Sequence, residues 1–419
     1  NNTPNPIPAS FLRGGTSKGI FLNQSSLPPD RAHWDRIFLG IMGSPDPEHG
    51  RQLNGMGGGI SSLSKICVVG PPSAAHKAQG VDAEYTFAQV GIRDSGIDYS
   101  GNCGNLSSMI GVFAVDEGIC APRPRPGAGT GAHVATVRSF NTNTQKIIDT
   151  TFPITDTGPP VAALGLPETT MAGVPGKAST IILDFIDPAG ARTGTLLPTG
   201  SPVDVLDIHL PDGGAPRTAK VKVSCVDATN PTVFVAHAEL AAFLPPLAAY
   251  LRGRDEPLVA ETLEAIRRAA ALKMGLDPAA QAQPKICLLR APPRTHTQTQ
   301  AQTETETETG SGTGTGTETE TGAGAARGVD IVVHALSMGA LHKAVPMTVG
   351  LCLGVASNIE NTLAWEIVHR SSGKNGGMIR ISHPSGVVDV GAEFSGDGTV
   401  TGAKVVRTGR RLMKGVVWW

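Results

Sequence analysis

The chain has 419 residues, 40% of them hydrophobic and 17% charged, enough to bury a sizeable core in two or more domains. Its 52 glycines and 32 prolines follow no fixed period, which excludes a collagen-like chain and leaves a loop-rich globular one. Lys plus Arg number 35 against 36 Asp plus Glu, a formal charge of -1, so no overall field favours nucleic acid, and no run of eighteen apolar residues marks a membrane span.

Six cysteines, Cys67, Cys103, Cys120, Cys225, Cys287 and Cys352, stand far apart without a CxxC pair. Reduced thiols in a cytoplasmic protein are therefore expected, and the start of the chain has no apolar signal core.

In chain order, IPASFLRGGTSKGIFL reads as a strand, a glycine-rich turn and a second strand. DRAHWDRIFLGIMG puts Trp34, Ile37, Phe38 and Ile41 on one helical face, with Asp30 as its cap. A Gly-rich loop leads through GISSLSK into a strand at Ile66, Val68 and Val69, and AEYTFAQVGI suggests another. Leu106, Met109, Ile110 and Phe113 then recur at three- and four-residue steps, which predicts one helix, capped by Asn102 or Asn105, with Cys103 at or just before its start. HVATVRSFN, KIIDTTFPI and STIILDFID follow as strands, and the first half ends in the Pro/Gly-rich stretch Pro188 to Pro202.

The second half repeats the plan. VDVLDIHL, AKVKVSCVD and TVFVAHAEL are strand-like, PLVAETLEAIRRAAALKMGLD is an amphipathic helix, and PKICLLR and VDIVVHALSMG are strands. TVGLCLGVASNI is a helix, GGMIRISHPSGVVDVGAEF holds two strands, and a last strand near Ala403 to Arg407 returns towards the first half. Strands interleaved with a few helices, twice over, predict two similar α+β halves facing each other: residues 1–195, completed by 398–419, and residues 196–397. Residues 295–324, where Thr alternates with Gln, Glu or Gly, have no apolar face to bury and read as a disordered low-complexity insertion.

Common motifs fail. GMGGGISSLSK and RGGTSKG lack phosphate-loop spacing, and there is no G-x-S-x-G elbow or H-E-x-x-H helix. His334 and His342 lack companions for a metal site, so neither metal nor cofactor is expected. SGNCGN remains: a cysteine between glycines at a helix start has its thiolate stabilised by unpaired amides, although a free cysteine is also often simply buried. Lys65, beside Ser61, Ser62 and Ser64, is a proton acceptor if partly desolvated, an anion clamp if not, or a solvated strand-end lysine; Arg13 and Lys18, around the Gly-Gly-Thr16 turn, carry the same ambiguity.

The stretches FLRGGTSKGIF, GMGGGISSLSK, DYSGNCGNLSS, DFIDPAG with GTLLPTG, HKAVPMT and MIRISHPSG, in that order, resemble the PrpF family of methylaconitate and aconitate isomerases. The resemblance runs from Phe11 to about Met413 outside the Thr-rich insertion. It implies a fold like that of diaminopimelate epimerase, with two pseudo-symmetric domains and the active site in the cleft between them. It also implies Lys65 as catalytic base and Cys103 as active-site thiol. Substrate binding is expected from Arg13, Thr16, Ser17, Lys18, Ser64, Asn102, Gly104, His342, Lys343, Thr348 and Ser385. Related epimerases place a thiol from each half beside the substrate carbon; here Met347 or Thr348 stands about where the second would be, and Cys352 lies further into the helix.

The implied function is cofactor-independent isomerisation of aconitate or 2-methylaconitate. Oxalomesaconate or methylitaconate isomerisation, an amino-acid racemase of the same fold, and a noncatalytic carboxylate binder are the alternatives. The expected partner is a small di- or tricarboxylate, with a homodimer left open.

Overall fold

A computed structural model describes residues 4–99, 101–126, 133–155, 161–210, 217–280, 283–293, 328–337, 339–342, 344–374 and 377–419. The Thr-rich insertion 295–324 and Lys343 lie outside them.

The predicted first hairpin forms. Ile7–Gly14 pairs antiparallel with Ser17–Asn23, and Gly14 faces Ser17, so Gly15 and Thr16 make a two-residue turn. Gly15 has φ 53°, the left-handed conformation such a turn asks of its first residue.

From this hairpin one ladder of pairings runs through the molecule. Its first eight strands, in spatial order, are Gly409–Val417, Ile7–Gly14, Ser17–Asn23, Lys65–Gly70, Ala83–Val90, His133–Asn141, Lys146–Pro153 and Ile181–Ile186. Ile181–Ile186 pairs antiparallel with Val400–Arg407. There the second eight begin, running on through Gly386–Phe394, Ile379–His383, Ile331–Ser337, Lys285–Arg290, Asn230–Ala236, Arg217–Ala228 and Asp204–Leu210. Counted from either outer end, the third and fourth strands pair parallel, as do the fifth and sixth. A parallel joint needs a crossover, and each crossover here contains a helix.

The helices sort by face. Trp34–Met42 buries Trp34, Ile37, Phe38 and Ile41 against one side of the first strand set, and Pro257–Lys273 buries Val259, Leu263 and Ile266 against the equivalent side of the second. On the opposite faces lie Gly104–Ser107 with Ile110–Asp116, and Met347–Ala356. Val349–Ala356 is buried on every side, as an all-apolar helix must be. Both inner helices share the largest core cluster, Phe113 from one half and Leu351 from the other. This is the two-fold-repeated α+β plan that the sequence predicts.

Several expectations need correction. The helix after Cys103 is broken at Ser108–Met109, because the Ser107 and Ser108 hydroxyls donate to the carbonyls of Cys103 (3.1 Å) and Asn105 (2.7 Å) and compete with the helical ladder. Cys103 itself holds the cap position, so neither Asn102 nor Asn105 does. Asp30 caps a 3-10 turn, Arg31–His33, rather than the Trp34 helix. TVFVAHAEL leaves the sheet at Ala236 and becomes the short helix His237–Ala241. The hairpin Thr169–Met171 with Val174–Ala178, the helix Leu363–Ser372 and the strand Gly409–Val417 had no counterpart in the periodicity reading. Among the described residues, no helix is long and apolar enough to cross a membrane.

Candidate active site

Strand periodicity positions the lysine. In Lys65–Gly70, Ile66 and Val68 pack beneath the Trp34 helix, while Cys67 and Val69 face the inner helices. Lys65, on the same face as Cys67, therefore points towards the inside of the first half. Its side chain is 9% exposed. The ammonium donates to Gln89 Oε1 at 2.6 Å and lies 5.0 Å from the Phe87 ring centroid. Gln89 is itself anchored, donating to the carbonyls of Ser64 (2.9 Å) and Ser61 (3.1 Å). Lys65 is thus held at one point by a partner that has little freedom.

Cys103 caps the first inner helix and is half-buried, with its Sγ 3.8 Å from Ser17 Oγ. The buried Cys67 thiol is close enough to feel both Lys65 and Cys103. Burial pushes the Cys67 thiol up; charge on Cys103 adds to this and the Lys65 ammonium opposes it.

The Gly-Gly-Thr turn abuts the same helix. A Cβ on Gly14 would collide with the Asn105 carbonyl and one on Gly15 with the Asn105 side chain, so these glycines permit a close approach of backbone. Asn105 then bridges: its amide donates to Thr16 Oγ1 at 3.1 Å, and its Oδ1 accepts from Arg407 Nε at 3.1 Å.

Arg407 ends its strand on the inward side and is 8% exposed. Among the described residues it has no carboxylate partner; its remaining bond is to the carbonyl of Val406. Burial pulls its pKa down to about 10, and negative charge on Cys103 would pull the other way. Arg407 lines a cleft of about 570 Å³ together with Thr16, Asn105, His342, His383 and Met347, a size suited to a small molecule. Burial, then Arg407, pushes His383 down to about 4. Its Nδ1 accepts the Ser385 amide at 3.2 Å, which leaves Nε2–H as a neutral donor. Burial, then Lys285, also lowers the His342 pKa. Arg380 lines the cleft but is already paired with Asp389 at 2.8 Å.

The expected binding residues divide. Thr16, His342 and Ser385 line this cleft, whereas Asn102, Gly104 and Thr348 line a smaller pocket of about 130 Å³. Arg13 braces the turn, donating to the carbonyls of Gly15 (2.9 Å) and Thr408 (3.1 Å). Ser64 is fully buried, donating to Gln52 (2.7 Å) and Ile60 (2.9 Å). Lys18 lies 5.6 Å from the Phe11 ring centroid. Lys343 falls outside the described residues.

Three site residues escaped the sequence reading: Arg407, His383 and Asn105. The available signal was an arginine at an inward position of a strand otherwise carrying Ala403 and Val405 inward, since a charge there needs a reason.

Met347 opens the second inner helix as Gly104 opens the first. A Cβ on Gly104 would fall on the Met347 ε-methyl, so a thioether faces the start of the Cys103 helix. Cys352 is fully buried, donating to the Val226 carbonyl at 3.5 Å, and burial pushes its thiol up to about 12. Among the described residues, no group of three His, Cys, Asp or Glu could hold a metal ion.

The PrpF protein family profile matches residues 5–310 and 312–419. The chain belongs to the PrpF family. It is 33% identical to the 3-methylitaconate isomerase of Eubacterium barkeri, covering 98% of this chain and 97% of that one. It is 34% identical to the 2-methyl-aconitate isomerase of Shewanella oneidensis, over 98% and 96%, and 30% identical to the 4-oxalomesaconate tautomerase of Pseudomonas putida, over 98% and 95%. A crystal structure of methylitaconate-delta-isomerase superposes with a TM-score of 0.76 at 32% identity, covering 99% of this chain and 95% of that one. These PrpF relatives span the full architecture, both inner helices included.

Proposed function

We propose that the chain is a cofactor-independent isomerase of an unsaturated tricarboxylate, aconitate or 2-methylaconitate, acting in a reducing cytoplasm that keeps Cys103 a free thiol. The observation that carries this reading is Arg407, a buried guanidinium in the cleft wall with no carboxylate partner among the described residues. Leaving such a charge unpaired is expensive. A substrate carboxylate supplies the missing partner in the bidentate geometry that arginine favours.

The proposed chemistry adds Lys65, Cys103 and His383 to this anchor. As the base, Lys65 takes a proton from the substrate CH₂ beside the double bond on its Nζ, which Gln89 holds in place. Removing that proton makes Lys65 an ammonium and leaves a dienolate whose charge spreads into a carboxylate, where Arg407 and the neutral His383 N–H stabilise it. The original double bond loses order, so it rotates or migrates. Cys103 then returns a proton to carbon, and the ammonium re-protonates the thiolate directly or through solvent. The activities named for the relatives, on methylitaconate, methylaconitate and oxalomesaconate, are all proton shifts in small unsaturated carboxylates.

A two-thiol racemase is disfavoured, because Met347 faces the Cys103 helix and has no exchangeable proton. Proton NMR of the full chain with cis-aconitate, trans-aconitate, 2-methylaconitate, methylitaconate and oxalomesaconate in chelator tests the proposal. It predicts conversion of at least one tricarboxylate; binding without conversion or solvent-proton exchange for all five would leave only a carboxylate-binding protein.

A further inference from the structure

Among the described residues, Met347 is the one that lines both the 570 Å³ cleft that holds Arg407 and the 130 Å³ pocket that holds Gly104 and Thr348. Its side chain is the partition between them. The pocket behind it is walled in part by Phe185, Ile186 and Pro188, a surface suited to an alkyl group rather than a carboxylate. Methionine has three rotatable bonds and repacks easily.

From this arrangement we propose that Met347 is a specificity-determining residue, setting the size of the substituent allowed on the double-bond carbon to which Cys103 returns a proton. The inference rests on the proposed proton-shift chemistry for its substrate class. A carboxylate held by Arg407 leaves the rest of the molecule to reach Cys103, and the residue after Cys103 lies directly under the Met347 methyl. A substituent on the double-bond carbon that receives the Cys103 proton, where 2-methylaconitate carries its methyl, therefore meets Met347 first. With the side chain in place, aconitate is accepted and 2-methylaconitate is resisted; with the side chain shortened, a methyl enters the apolar pocket.

The test measures kcat/KM and, separately, calorimetric Kd for aconitate and 2-methylaconitate with wild type, Met347→Ala, Met347→Leu, Gly104→Ala and the double variant Gly104→Ala/Met347→Ala, each checked for folding by circular dichroism. Met347→Ala is expected to shift the ratio of 2-methylaconitate to aconitate at least about tenfold towards the methylated acid, the scale of one methyl in a pocket. Met347→Leu, which keeps the bulk, is expected to shift it little. Gly104→Ala alone weakens both acids, and Met347→Ala restores them because the new Cβ then has room.

An unchanged ratio in folded Met347→Ala, in turnover and in affinity alike, overturns the partition role, as does a double variant no better than Gly104→Ala. If no acid turns over but the Kd ratio shifts as stated, the gate stands and the isomerase reading falls. If no acid binds wild type or any variant, both fall.

Discussion

Removing the charge of Arg407 separates a binding group from a structural one. In the free protein its pKa is held at about 10 against an ordinary 12.5, and at about 1.4 kcal/mol per pH unit burial disfavours the folded, charged state by ~3 kcal/mol. The sign follows from linkage. The guanidinium's folded pKa is depressed, so below about 10 the folded state carries the full penalty, and stability rises as pH climbs from there through the unfolded value. Arg407→Gln removes that penalty but loses the bond to Asn105, worth about 1 kcal/mol. The ligand-free variant should therefore melt no lower than wild type. With substrate the balance reverses: losing one partner of a desolvated charge pair costs about 2–5 kcal/mol of affinity, or roughly thirtyfold to several thousandfold in kcat/KM. The assay is thermal denaturation with and without trans-aconitate, beside steady-state kinetics. Wild type should gain about 2.7 kcal/mol at a hundredfold excess over Kd, and Arg407→Gln should gain almost nothing. A variant that melts several degrees lower in the absence of ligand, yet keeps the ligand-induced shift, would refute the reasoning.

Three further predictions concern other residues of the candidate site. Asn105→Asp places a carboxylate beside the Arg407 Nε, now 3.1 Å from Asn105 Oδ1; it should raise KM about tenfold or more by competing with substrate while raising the melting temperature, as steady-state kinetics and calorimetry would report. Lys65→Ala should slow proton abstraction at least about a hundredfold, whereas Cys103→Ser should slow product formation more than deuterium loss from a CD₂-labelled substrate, both followed by single-turnover NMR. His383, pushed down to about 4, contributes stability above its unfolded pKa that is lost as pH falls through about 4; His383→Gln should flatten the acid side of the stability profile between about pH 6.5 and 4, measured by urea denaturation.

Much of the architecture was legible because it is written in periods. Alternation marks the strands around Ile182 and Val221, an unbroken apolar run the one around Ile66, and the 3.6-residue spacing of Trp34, Ile37, Phe38 and Ile41 an outer helix. The break at Ser108 was hidden because Leu106, Met109, Ile110 and Phe113 keep the same spacing across it; serine hydroxyls bonding backward, not hydrophobicity, set that boundary. The hairpin at Thr169–Ala178 carries few apolar residues and takes its place from the cleft it borders. Of the candidate site, Lys65 and Cys103 stood out by motif, yet the anion-binding end did not. Arg407 is separated from Asn105 by 302 positions, and only the return of the last strands to the first half brings them together. Arg13 and Ser64 show the converse: polar residues inside recognisable motifs whose hydrogen bonds serve the local backbone.

The step proposed for Lys65 breaks a C–H bond next to the double bond while Arg407 holds a substrate carboxylate. Its most direct test is the deuterium isotope effect on the chemical step, measured in single turnovers of the full chain with the tricarboxylate it converts, CH₂ against CD₂ at the allylic carbon. The expected result is a several-fold slower step for the CD₂ acid, with both isotopologues slowed together in Lys65→Ala. A CD₂ acid that isomerises as fast as its CH₂ counterpart, in a step shown to be chemical, would contradict it.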